Sequence, residues 1–225
     1  MKETKKIRVK VKKRKLKTKN IFIFMLSILL IILFIYYFLT IKIKNIYVIN
    51  NNFVKDKDII SYAKLDTYPS YLLSLKFITK DNILKNPYIK DVDIEKNNFK
   101  IYLYIEEYKP LAIYNNKVLL ENNTLIDNTY DLKELPIVIN EIDTKLFSYY
   151  FRKIDSNTLL KISQIEYAPN EVDKERYLLY MTDGNSVYIT LSKITKLNSY
   201  SSITSQMEDK KGIIYLDSGD YIELK

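Results

Sequence analysis

One stretch of the chain breaks with everything after it. Residues 21–41, IFIFMLSILLIILFIYYFLTI, carry no charge and are apolar on every face. As a helix rising ~1.5 Å per residue the stretch is about 31 Å long, matching a hydrocarbon core of about 30 Å. It is longer than a typical globular helix and follows a lysine-rich tail. It also exceeds the usual apolar region of a signal peptide, and no small-residue cleavage site follows it. A retained membrane anchor is the expectation, with Tyr36 and Tyr37 near its far end suited to the membrane–water interface.

Beyond residue 41 the apolar positions become short and periodic. Residues 42–50 are rich in strand formers. Residues 55–64 predict a helix with Ile59, Ile60 and Ala63 inward, and Leu72, Leu73 and Leu75 fill an apolar connection. Thr79 is expected to cap a short second helix with Asp81 in its first turn, and Asn86-Pro87 to end it. Two strands, 89–96 and 99–106, flank Asn97-Asn98, residues that tolerate the positive φ of a tight hairpin. Phe99, Ile101, Leu103 and Ile105 alternate with Lys100, Tyr102, Tyr104 and Glu106, the mark of a half-buried strand. The order is strand, helix, helix, strand, strand.

Residues 111–225 predict mostly strands with two helices. Paired strands over 113–120 turn at Asn115-Asn116, and Asn122-Asn123 follows. A short strand covers 136–139, a helix 147–162, and strands 164–167 and 176–182. Asp183-Gly184 turns the chain into a strand over 186–191. Ile194, Leu197, Tyr200, Ile203 and Met207 mark one face of an amphipathic helix, with Lys210 and Lys211 in its last turn and Gly212 as its cap. Strands over 213–216 and 221–224 complete an α+β pattern.

Composition then removes most chemistry. The chain has no His and no Cys, so imidazole bases, histidine or thiolate metal sites, Ser-His-Asp triads and disulfides are excluded. The net charge of +9 belongs to the tail: residues 1–20 hold eleven Lys or Arg and one acid, and the remainder holds 25 basic and 26 acidic side chains. Basic residues before the span, against Lys42 and Lys44 just after it, place the N-terminus in the cytoplasm and the bulk outside. Anionic lipid is a natural contact for that tail. A nucleic-acid-binding body would need its basic residues on a folded face, so no nucleic-acid partner is expected.

Ser61, Ser70 and Ser74 lack the setting of a Ser-Lys peptidase. Glu106 and Glu107 point to opposite sides of a strand. Asp91 and Asp93 share a face, but beside Lys90 and Lys96 they suit a solvated edge. Asp217-Ser218-Gly219-Asp220 lacks calcium-loop spacing, and no Gly-rich phosphate loop is present. No catalytic residue, metal ligand set, cofactor or small-molecule substrate is expected, which leaves binding. A terminal strand can accept an extended partner along its edge. The candidate is Ile213-Ile214-Tyr215-Leu216, preceded by Gly212, with Tyr200 and Tyr221 as rim aromatics. On residues alone, internal pairing of this strand with Ile213 in the core is favoured over a partner edge; the resemblance described next raises the partner edge to an even reading.

The strings IKNIYVINNNFVKDKDIISYA and LKNPYIKDVDIEKNNFKIYLYIEEYKPLAIY, directly after an anchor, resemble the FtsQ/DivIB family of bacterial division proteins. The strand ending Ile105-Glu106-Glu107-Tyr108-Lys109-Pro110-Leu111-Ala112 is the most telling piece. RYLLYMTDGNSVYITLSKITKLNSYSSI and KKGIIYLDSGDYIELK extend the resemblance nearly to the last residue. Where the family usually has Gly-Asn after the first strand, this chain has Asn51-Asn52, and Asn is expected to take the positive-φ position of Gly and keep the turn. The polar extension that some members carry after this region is not expected here.

The resemblance implies a cytoplasmic tail over 1–20, a transmembrane helix over 21–41, a POTRA domain (β-α-α-β-β) over 42–110 and a mainly antiparallel β domain with helices over 111–225. It also implies a single-pass type II membrane protein at the division septum. There it would scaffold the division complex by binding a DivIC/FtsB-like coiled-coil protein at its C-terminal strand, together with an FtsL-like partner. An anchored extracytoplasmic peptidase and a POTRA-type chaperone or sensor are the alternatives.

Overall fold

A computed structural model describes residues 18–208 and 210–224; most of the basic tail lies outside them. Helix α1 (Thr18–Thr40) has no buried residue, and with an 18-residue stretch of mean hydropathy 2.9 it is long and apolar enough to cross a membrane. Thr18, Lys19 and Asn20, ahead of the apolar run, are helical as well.

The next five elements appear in the expected order: β1 (Asn45–Ile49), α2 (Asp56–Tyr62), α3 (Lys76–Ile83), β2 (Ile89–Asn97) and β3 (Lys100–Glu107). They form a sheet ordered β1-β3-β2, with β1 parallel to β3 and β2 antiparallel to it. Ile59 and Ile83 pack from the helices onto Val92, Ile101 and Leu103. Three local expectations need correction. The hairpin turns at Asn98-Phe99 (φ 49° and 63°), with Asn97 facing Lys100. That register keeps Ile105 opposite Val92 and Leu103 opposite Ile94, all on the buried face. Thr79 is no cap; it is buried inside α3, where its hydroxyl donates to the Leu75 carbonyl at 3.0 Å. After β1 the left-handed residue is Asn50 (φ 67°), while the Asn51 amide donates to Val54 O and Asp56 Oδ1.

The acidic end of β3 has a structural role. The Glu107 carboxylate accepts from the backbone N–H groups of Asn52, Phe53 and Val54 at 2.9–3.0 Å, locking the turn that leads into α2. Charge-assisted bonds of this kind are about twice as strong as neutral ones.

A nine-stranded sheet follows: β4 (Pro110–Tyr114), β5 (Lys117–Leu120), β6 (Leu125–Asp127), β7 (Ile137–Val138), β8 (Ile162–Tyr167), β9 (Arg176–Met181), β10 (Ser186–Thr190), β11 (Gly212–Tyr215) and β12 (Tyr221–Leu224). Its order is β12-β11-β10-β9-β8-β7-β4-β5-β6. Antiparallel pairs predominate; β4–β7, β7–β8 and β10–β11 are parallel. The turn at Asn115-Asn116 has positive φ at both residues, as the two-residue hairpin demands. In β5, Val118 and Leu120 face the first core and Leu119 the second, so one strand is buried on both sides. Its unbroken apolar run follows from that placement.

The helix expected over 147–162 divides into α4 (Thr144–Phe151) and α5 (Ser156–Leu159). Asp143 caps α4 by accepting from Lys145 N and Leu146 N. Ile162 leaves the helical path because it pairs with Met181 in the sheet. The amphipathic segment after β10 is a 3-10 helix (Leu191–Ser199), then α6 (Tyr200–Thr204), then a 3-10 turn (Ser205–Met207). Its apolar face is as expected, but Glu208 (φ 50°), rather than Gly212, takes the left-handed position at its end. The Asp183-Gly184 hairpin uses a three-residue loop: Gly184 N donates to Met181 O, Met181 N to Asn185 O, and Gly184 has φ 91°.

Candidate interaction edge

The far end of the large sheet is built by β9, β10, β11 and β12. Val187, Ile189, Leu179 and Ile214 turn inward to the core, and the alternate positions turn out. Here the principal correction falls. Ile213, Ile214 and Tyr215 do not form a free edge, because β11 is paired on one side with β10 and on the other with β12. The terminal strand is β12, whose four residues are all exposed, and among the described residues no strand pairs with its outer side. Leu216 is buried and its amide donates to Tyr188 O at 2.8 Å.

Two other candidate residues belong to the interior. Tyr200 is 2% exposed rather than a rim aromatic; its hydroxyl donates to the Asp183 carboxylate at 2.8 Å and accepts from the Asn185 amide at 3.1 Å. Burial pushes the Tyr200 phenol up from its ordinary value. Burial also works to raise the Asp183 carboxyl, but hydrogen bonds from Asn185 and Tyr200 outweigh it and hold that group low. Asn185 in turn accepts from Gly212 N at 3.0 Å. A Cβ on Gly212 would meet Glu223 O at 2.3 Å. Gly212 is therefore required for β12 to lie close against β11.

Tyr215 and Tyr221 stay at the surface and are joined by a residue the sequence did not single out. The rings of Tyr188, Tyr215 and Tyr221 stack across three strands, with centroids 5.3 and 4.5 Å apart. The Arg176 guanidinium lies over Tyr188 at 3.7 Å and pairs with Asp217 at 2.6 Å. Burial would raise the Asp217 carboxyl, but Arg176 outweighs it and holds it below the usual range. On the other face, Ile222 stands opposite buried Ile214 and Leu224 opposite Gly212. The core thus ends in an apolar lip at 36% and 49% exposure. The alternation in RYLLY and SVYIT could have identified Arg176 and Tyr188 as outward residues.

The residues weighed for catalysis do not converge. Lys96 donates to the main-chain carbonyls of Tyr71 and Ser74, while Ser74 donates to Ser70 O. Asp91 pairs with Lys80 at 2.6 Å and Glu106 with Lys90 at 2.6 Å, all substantially exposed. Asp217 pairs with Arg176, and Asp220 with Lys196 at 2.5 Å. Among the described residues no group of three or more acidic side chains could hold a metal ion. The arrangement offers backbone pairing, an aromatic face and an apolar lip, which together suit an extended polypeptide.

Comparison with known proteins assigns the molecule. Residues 41–108 match the family model described as POTRA domain, FtsQ-type. The chain is 33% identical to the cell division protein DivIB of Bacillus subtilis (strain 168), over 81% of this chain and 74% of that protein. It is 28% identical to DivIB of Brevibacillus brevis, over 78% and 72%, and 29% identical to DivIB of Bacillus anthracis, over 80% and 72%. Among solved structures, the major extracytoplasmic domain of Geobacillus stearothermophilus DivIB superposes with a TM-score of 0.39 at 21% identity, over 46% of this chain and 96% of that one. The B. subtilis relationship spans both sheets, and the apolar helix fits a membrane-anchored division protein: the chain belongs to the DivIB family of bacterial cell division proteins.

Proposed function

We propose that this chain scaffolds the division complex by receiving an extended segment of a DivIC/FtsB-like partner along the outer edge of β12, with an FtsL-like protein held in the same assembly. The observation that carries the reading is the combination at β12. Its outer backbone is unpaired among the described residues, and Ile222 and Leu224 leave the core uncovered on one face. An incoming strand with apolar residues at alternate positions would pair with the backbone and close over that lip. Tyr188, Tyr215 and Tyr221 would flank it on the other face. The protein acts by holding partners rather than by catalysis. It sits at the septum as a single-pass type II membrane protein, with its basic tail in the cytoplasm and both sheets outside.

Pull-down of a DivIC/FtsB-like protein by the full chain in detergent tests the edge. Wild type binds; Ile222→Asp weakens binding at least about tenfold, equivalent to 1.4 kcal/mol. Tyr215→Lys weakens it less, by unstacking Tyr221. Absence of binding by wild type would sink the partner claim, and unchanged binding by Ile222→Asp would sink the choice of edge. Protease treatment of protoplasts tests the orientation, which requires cleavage of the folded bulk from outside.

A further inference from the structure

Immediately after α1 the chain makes a contact that positions a second exposed surface. Ile43 N donates to Pro69 O at 3.1 Å, Tyr71 N donates to Ile41 O at 2.8 Å, and Lys42 bridges to Ser70. The segment just beyond Tyr71 is thereby tied to the first residues that leave the anchor. With strands ~4.8 Å apart and at most ~3.5 Å per residue, Leu73 lies no more than roughly 12 Å from Ile41. This segment is apolar and uncovered: Leu72, Leu73, Leu75, Phe77 and Ile78 are all exposed, Leu73 and Phe77 by more than 60%. Lys76 stands exposed among them, and Asp81 marks the end of the apolar surface along α3.

The backbone here is partly satisfied: the amides of Lys76, Phe77 and Ile78 open α3, and no side chain caps them. Ser74 N donates to Ser70 O, Leu75 N to Leu73 O and Thr79 N to Leu75 O, while the Tyr71 and Ser74 carbonyls accept from Lys96 Nζ. Exposed apolar side chains beside a few open amides suit an interfacial layer, where acyl chains receive the first and headgroup oxygens or water meet the second. The neighbouring Lys76 suits an anionic headgroup layer.

We propose that residues 72–78 dock into the outer interfacial layer of the same bilayer that α1 spans, so that the folded body is held against the membrane at two points. The occupant is lipid because the patch is continuous with the end of the anchor. The side chains would sink about 5–10 Å into the headgroup and acyl boundary, the depth of an interfacial apolar face. The inference rests on α1 crossing the membrane and is independent of the partner at β12.

The absence of Cys makes the test direct. Leu73→Cys, Phe77→Cys, Val172→Cys and Leu29→Cys are each labelled with a polarity-sensitive fluorophore in the full chain, reconstituted in phosphatidylglycerol–phosphatidylcholine nanodiscs. Val172 is 96% exposed and serves as the wet reference; Leu29 lies within α1. Labels at 73 and 77 shift to the blue and lose most of their emission to lipids brominated on the acyl chains, whereas the label at 172 does neither. Quenching at 29 with none at 73 and 77 overturns the docking while leaving the anchor intact. A blue shift at 73 and 77 without lipid quenching also overturns it, since protein would then be the cover. A label at 29 that escapes quenching overturns both the anchor and the docking.

Discussion

The molecule leaves apolar groups uncovered at two places, and the two differ in what the backbone does. Around Leu73 and Phe77 the turn bonds and Lys96 take up part of the main chain, a few amides stay open at the start of α3, and apolar side chains are the main offer. At β12 the side chains are sparser, but one whole strand edge is unpaired among the described residues. An interfacial lipid layer suits the first kind of surface, because the side chains reach the acyl boundary while scattered amides meet headgroup oxygens and water. A polypeptide needs the second, because main-chain pairing supplies affinity that side chains alone do not. Exposure of hydrophobic residues thus distinguishes partners only when the adjoining amides and carbonyls are followed as well.

The largest expected effect strikes both surfaces together. Leu119→Ala removes a fully buried side chain from the strand shared by the two cores and should cost about 2–5 kcal/mol, read as a lower urea midpoint. Partner binding and lipid quenching should then fall in parallel.

Tyr200→Phe should affect β12 alone. It removes the hydroxyl that joins Asp183 to Asn185, the residue that receives Gly212 N, at a cost of about 1.5–3 kcal/mol at neutral pH. The sign with pH follows from the raised phenol: folded Tyr200 keeps its proton where the unfolded side chain loses it, near 10. The wild-type advantage is therefore complete below that value and shrinks as pH rises above it. Urea unfolding at pH 7.5 and 10.5 reads the difference.

Lys96→Met is the counterpart for the membrane-proximal patch. Burial, with a contribution from Lys76, holds the Lys96 ammonium below its ordinary value, yet it remains the donor to two loop carbonyls. Its loss should cost about 1–2 kcal/mol and raise hydrogen exchange across residues 70–76 while leaving partner binding unchanged. The smallest effects on stability come from the surfaces themselves. Phe77→Ser and Tyr221→Ala should each change it by less than about 1 kcal/mol. The first should lower lipid quenching at residue 73 only, and the second partner affinity only.

Much of this was legible in the residues. The β-α-α-β-β order and the buried face Ile101, Leu103 and Ile105 were read from periodicity, as was the turn at Asn115-Asn116. The turn at Asn98-Phe99 was missed because an aromatic residue at positive φ runs against every local preference; the register of the buried face overrode it. The free strand edge was placed one strand too early. Ile213 to Leu216 looks more like a strand than Tyr221 to Leu224, and strand quality says nothing about position in a sheet. Leu72, Leu73 and Leu75 were read as connection filling. Only the folded chain brings them beside Ile41.

Local chemistry and period were sufficient to define a charge-free span, two strand-rich modules after it, and a chain without imidazole or thiol, since each of these depends on residue type and near neighbours. Which strand lies outermost, whether Tyr200 faces water or Asp183, and what lies beside the exit of the anchor were decided by tertiary structure. Those outcomes depend on pairings between residues tens of positions apart, and an alternating pattern looks the same in a strand with one neighbour as in a strand with two.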